Sequence, residues 1–149
     1  MCTVIEYKEK YKDDLAKFLV GAETLVKESD FNITSEMKLF VGVNKKVKNN
    51  YRMYIALNVD KKIIGAISIS NEGKLALLAT CNDKVDDTTN VLIKKAEDSF
   101  KTCKSKTFSV NTNQRYILNF TNNGYKVIRF LGFENDNKFH LEKTFVNAK

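Results

Sequence analysis

The chain has no proline, a single histidine and three cysteines in 149 residues. Each shortage excludes something. Cys2, Cys81 and Cys103 include no close pair, and one histidine cannot complete a metal site with them. An odd number of separated cysteines also argues for reduced thiols, as in a cytoplasm. No apolar run approaches the length of a membrane span, and Met1 to Tyr11 lacks the apolar core of a signal peptide. The expectation is a cytoplasmic protein with no membrane partner.

Arginine is equally scarce. The net charge of +7 rests on 22 lysines against 3 arginines. Arginine is the residue that reads phosphates and bases bidentately, so a nucleic-acid partner is not expected. The lysines are scattered, the densest group being Lys45, Lys46, Lys48 and Arg52. They read as a solvated surface with a compositional bias, or as an attraction for a polyanionic ligand. Hydrophobics at 43% and aromatics at 11% predict one globular domain over residues 1–149, long enough for a proper core.

Periodicity orders the chain. Thr3–Tyr7 alternates as a strand, and Asp13 and Asp14 open a helix with Leu15, Phe18 and Leu19 on one face. After a polar joint at Glu28 to Asn32, Thr34 or Ser35 caps a second helix with Met37, Phe40, Val41 and Val47 inward. Arg52–Val59 and Lys62–Ser70 read as a hairpin turning at Asp60-Lys61, and Asn71-Glu72-Gly73 leads into the strand Lys74–Thr80. A long helix then sets Val91, Leu92, Ala96, Phe100 and Cys103 on one face. Thr107–Val110 is a brief strand. Asn111 with Gln114 resembles a capping box for a helix to about Asn122, closed by Gly124. Tyr125–Phe133 and Lys138–Phe145 form a last hairpin. This order predicts an α/β fold: a mixed, mostly antiparallel sheet of about seven strands flanked by four helices on both faces.

The junction between the strand ending at Thr80 and the long helix is the most informative stretch. A strand-to-helix junction aims free backbone N–H groups at one point, a common way to hold a phosphate. Such loops usually carry glycines, so that backbone approaches the ligand. Here Cys81-Asn82-Asp83-Lys84-Val85-Asp86-Asp87-Thr88-Thr89 has none. An aspartate in a first turn caps N–H groups and gains about 0.3–1 kcal/mol from the dipole, while repelling a second anion. The residues alone read as a self-capped helix start. The competing reading is that Lys84, Lys94, Lys95 and Arg115 hold phosphates by charge, with fewer backbone contacts.

The element order, with Asn119-Phe120-Thr121-Asn122-Asn123-Gly124-Tyr125, His140-Leu141-Glu142-Lys143 and Leu92-Ile93-x-x-Ala96-Glu97, resembles the GNAT superfamily of acyl-CoA-dependent N-acyltransferases. The resemblance implies a GNAT-like domain, acetyl-CoA as cosubstrate and an amine as acceptor. The positions it implies for acetyl-CoA are Leu78 and Thr80 at the strand end, Lys84, Asp87, Thr88 and Thr89 at the junction, and Asn119. Two departures stand out. The family's Arg/Gln-x-x-Gly-x-Gly/Ala loop falls on Lys84 to Thr89 and keeps only its cation. The family's frequent tyrosine acid falls on Phe120, which has no proton to give.

Tyr116, one turn before Phe120, is the candidate replacement acid, with core packing as its other reading. Glu72 and Asp83 flank the central strand as the nearest carboxylates for an amine proton, although turn and cap roles explain both. Cys81 reads as an inert thiol, and His140, on the polar side of an alternating strand, as structural or exposed. Two functions follow. One is an N-acetyltransferase of unknown amine acceptor with a degenerate phosphate loop. The other is an inactive GNAT-like binding or regulatory module.

Overall fold

The computed structural model describes residues 2–27, 51–70, 72–81, 85–99, 107–132 and 138–144. Strands β1 (Thr3–Glu6), β3 (Tyr51–Leu57), β4 (Ile63–Ser70) and β5 (Leu75–Thr80) form a continuous antiparallel ladder. Local chemistry sets its turns. Asn58 accepts the backbone N–H groups of Asp60 and Lys62 through its side chain, both at 2.9 Å, and Lys61 takes φ 61° to close the hairpin. Gly73, at φ 88°, turns the chain into β5, all six of whose residues are buried. That explains its unbroken apolar run: a strand covered on both faces need not alternate.

Helices cover the two faces. From α1 (Lys12–Gly21), Leu15 packs with Met53, Ile55, Leu57 and Leu77. From α2 (Val85–Ser99), Leu92, Ile93 and Ala96 join Tyr54, Ala56, Ile67 and Leu78. Alternate residues of β3 thus feed opposite layers, as the period of two requires. A second sheet, in the order β6 (Thr107–Asn113), β8 (Lys138–Thr144), β7 (Lys126–Phe130), turns Phe108, Val110 and Leu141 onto the α2 layer. Phe120, from α3 (Ile117–Thr121), completes that layer.

Among the described residues the structure has eight strands and three α-helices, against about seven and four expected. The extra strand is β2 (Glu23–Lys27), which follows α1 directly and pairs antiparallel with the outer edge of β5. The polar joint after Lys27 and the second helix read at Met37 to Val47 lie outside the described residues, as do Phe100 and Cys103.

The capping box is corrected. β6 continues to Asn113, so Asn111 is a strand residue opposite His140, and the cap falls to Asn113, whose side chain accepts from Arg115 N at 3.1 Å. The chain then makes a 3-10 turn, Gln114–Tyr116, before α3. Pairing with β8 explains the difference, since it satisfies the backbone of Asn111 in a strand rather than a helix start. Gly124 closes α3 at φ 90° with Tyr125 N bonded to Phe120 O at 3.1 Å. No helix among the described residues is long and apolar enough to cross a membrane.

Candidate active site

The site is built on β5. Ser68 stands opposite Leu77 and Ile69 opposite Leu75, so Ala76 is an extra residue that bulges the strand. β5 and β6 run parallel but share one isolated bridge, Lys74 to Ser109, with Ser109 N bonded to Gly73 O at 2.9 Å. Beyond that apex they belong to different sheets.

β2 lies in the opening. Cys81 N donates to Ile64 O at 3.0 Å, so the edge of Cys81 faces β4. Alternation turns the backbone groups of Thr80 and Leu78 to the other edge, where Glu23 and Val26 stand opposite them. Leu25 is the extra residue of a bulge there, and both Leu25 and Val26 are buried. On the far side, Thr112 Oγ1 of β6 donates to Leu25 O at 3.0 Å, and Arg115 pairs with Glu23 at 2.9 Å.

At the end of β5 the chain enters α2. Asn82, Asp83, Lys84 and the side chain of Asp86 lie outside the described residues. Asp87 is exposed in the first turn, whereas Thr88 and Thr89 are buried. The Oγ1 atoms of Thr80 and Thr89 are buried with no hydrogen-bond partner among the described residues. An unmet buried hydroxyl costs about 1–3 kcal/mol, and these two lie one at the end of β5 and one in the first turns of α2. Asn119 is half-buried; its carbonyl accepts from Asn123 Nδ2 at 2.6 Å, and the same amide donates to Asn90 Oδ1 of α2 at 2.8 Å. The end of α3 is thereby tied to the start of α2.

Tyr116 is 5% exposed and shares a core with Leu78, Leu25, Val26 and Phe120. The Arg115 guanidinium lies 5.4 Å from its ring centroid. Phe120 is fully buried, edge-on to Tyr125 with ring centroids 5.6 Å apart. Leu78, Thr80, Thr88 and Thr89 therefore gather at the helix end of β5, with Tyr116 in the same core and Asn119 linked through Asn123. Glu72 is set apart. It is exposed on the turn before β5, and the six residues of that strand put it on the order of 20 Å from the junction.

Charges elsewhere are paired. Lys143 Nζ bonds both carboxylate oxygens of Glu97, at 2.9 and 3.1 Å. Burial pushes the phenol of Tyr125 far above its ordinary value, and the Glu97 carboxylate beside it adds to the shift. His140 is held by Asn111 Oδ1 on Nδ1 and by Glu142 Oε2 on Nε2, both at 2.7 Å. Cys2 and Cys81 are half-buried and in no disulfide among the described residues, and no cluster of metal-ligating side chains occurs there. Sequence reasoning missed β2, Gly65 and the Asn90–Asn123 link. The adjacent apolar pair Leu25-Val26 just past a helix end was the available signal for the first.

No protein-family model matches the sequence, and no curated protein matches it. Solved structures do match. An acetyltransferase of the GNAT family from Staphylococcus aureus superposes with a TM-score of 0.68 at 17% identity, covering 98% of this chain and 100% of that one. A spermidine N-acetyltransferase mutant from Vibrio cholerae gives 0.72 at 11% identity over 96% and 93%. An aminoglycoside 6'-acetyltransferase of type Ii gives 0.73 at 15% identity over 99% of both chains. At these identities the likeness is one of fold, and over nearly its whole length the chain has the fold of the GNAT acetyltransferases.

Proposed function

We propose that the protein is an acyl-CoA-dependent N-acetyltransferase acting on an amine. The observation that carries this reading is the parting of β5 and β6 beyond Lys74 and Ser109, with unmet buried hydroxyls on Thr80 and Thr89 where α2 begins. Acetyl-CoA, when bound, supplies the acetyl group as a thioester. Its phosphates would be held by the backbone donors of the first turn of α2 around Asp87, Thr88 and Thr89, and by the charge of Lys84, with Asn119 nearby. The backbone N–H of Leu78 or Thr80 would polarise the carbonyl, since both groups turn to the edge of β5 away from β4. Tyr116, in the core that contains Leu78, would protonate the departing thiolate in place of Phe120. Glu72, a strand's length away, would take the amine proton only through intervening water.

A second reading is an inactive binding or regulatory module. Two observations favour it: the fully buried Phe120 where an acid is usual, and β2 paired along the edge that the thioester needs. Calorimetric titration with acetyl-CoA and CoA, followed by thiol-release assays with a polyamine and an aminoglycoside, decides between them. Binding with turnover supports the enzyme. Binding without turnover on any amine supports the module, and no heat at millimolar acetyl-CoA overturns both acyl-CoA roles.

A further inference from the structure

β2 is held from two sides. Its backbone pairs with β5 from Glu23 opposite Thr80 to Lys27 opposite Leu77. Its outer side is fastened to β6 by the buried bond from Thr112 Oγ1 to Leu25 O, and to the following turn by Arg115 on Glu23. Leu25 and Val26 fill the core that also contains Leu78 and Tyr116. The backbone of Leu78 and Thr80 cannot serve β2 and a bound thioester at once, because each N–H makes one good hydrogen bond.

We infer that β2 is an intramolecular competitor for acyl-CoA, and that its release from the edge of β5 precedes cosubstrate binding. The inference rests on the acyl-CoA reading above and adds a closed state to it. The open state alone binds, so the apparent dissociation constant is the intrinsic one divided by the open fraction. Weakening the fastenings of β2 must then tighten acyl-CoA binding, although no residue that would hold the ligand has changed. A merely structural strand predicts the opposite, since loosening it would spoil the site. Thr112 is the lever, because its hydroxyl reaches β2 and has no place in the proposed chemistry.

The test uses acetyl-CoA, without any amine, as the probe in calorimetry. Thr24 and Ala79 stand directly opposite each other, so Thr24→Cys with Ala79→Cys, in a chain whose native cysteines are serine, can cross-link β2 to β5. The oxidised form is expected to bind no acetyl-CoA, and reduction by a phosphine should restore binding. Thr112→Val is expected to bind acetyl-CoA roughly fivefold tighter than the wild type, as one lost buried hydrogen bond implies. Equal binding by the oxidised and reduced forms would overturn the competitor while leaving the acyl-CoA reading intact. If wild type, reduced variant and Thr112→Val all fail to bind at millimolar acetyl-CoA, the acyl-CoA reading itself fails and takes the competitor with it. Should the cross-linked chain not fold, Thr112→Val decides alone: unchanged or weaker affinity in a folded protein overturns the inference.

Discussion

Thr88 sits where a side chain on Gly65 would have to be. A Cβ built on Gly65 would lie 2.5 Å from Thr88 Cγ2 and 2.8 Å from Leu92 Cδ1. The missing side chain lets the first two turns of α2 press directly on β4, one strand from Thr80, which Gly65 faces across the ladder. The position of the start of α2 thus depends on a glycine in a different strand.

Gly65→Ala should therefore destabilise the fold by about 1–3 kcal/mol through overpacking. Thr88→Ser removes the methyl that makes the shorter contact, so the double variant should recover part of the loss. Urea denaturation of the four proteins of the cycle measures this. Strict additivity would mean that the two side chains do not meet.

If Tyr116 supplies the proton, Tyr116→Phe should lower kcat about 10²-fold or more with little change in the affinity for acetyl-CoA. Phe120→Tyr, added to that variant, should restore part of the rate, because both positions lie in one core. Thiol-release kinetics on an accepted amine reads both. A Tyr116→Phe enzyme as fast as the wild type would remove the tyrosine from the mechanism.

The Glu97–Lys143 pair links α2 to β8, with side chains 11% and 25% exposed. Lys143→Met leaves the carboxylate unpaired and should cost about 2–3 kcal/mol. Adding Glu97→Gln should return most of that stability, since a neutral amide is far cheaper to leave without a cation. Thermal melts at fixed ionic strength test the pair, and a double variant as unstable as Lys143→Met alone would contradict the account.

Alkaline pH should unfold the protein through its buried phenols. Tyr125 is raised by burial and then by Glu97, and Tyr7 by burial and then by Glu9 and Asp13. Below about pH 10 both the folded and unfolded forms keep these protons, so the stability is fully present. Above it the unfolded chain releases them before the folded one does, and stability falls by up to about 1.4 kcal/mol per pH unit for Tyr125 and by less for the partly buried Tyr7. Tyr125→Phe should flatten the decline between pH 10 and 11.5, with Tyr7 leaving a remainder. An unchanged slope would place Tyr125 in contact with solvent.

Much of this was legible locally. The Asp60-Lys61 hairpin, the turn at Gly73 and the closure of α3 by Gly124 follow from residues adjacent in sequence. The stripe read at Val91, Leu92 and Ala96 announced α2, because a helical face repeats within a few residues, but in the structure Val91 is exposed and Ile93 lies in the core instead. Asn111 misled for an instructive reason: its capping pattern was sound, but seven paired positions with β8 outweighed one local hydrogen bond. Gly65 carried no local signal at all, since its meaning lies in the side chain of Thr88.

By itself, then, the amino-acid sequence determined which segments are strands and helices wherever periodicity and turn chemistry act over a handful of residues. It also determined two chemical facts that no packing can alter: the junction has no glycine, and position 120 has no proton to give. Tertiary structure alone decided what occupies the outer edge of β5. Leu25 and Val26 carry no mark of the strand they will join, because backbone pairing is nearly indifferent to side-chain identity. Its choice was made by the core that buries Leu25 and Val26 beside Leu78, and by the hydroxyl that Thr112 offers from β6.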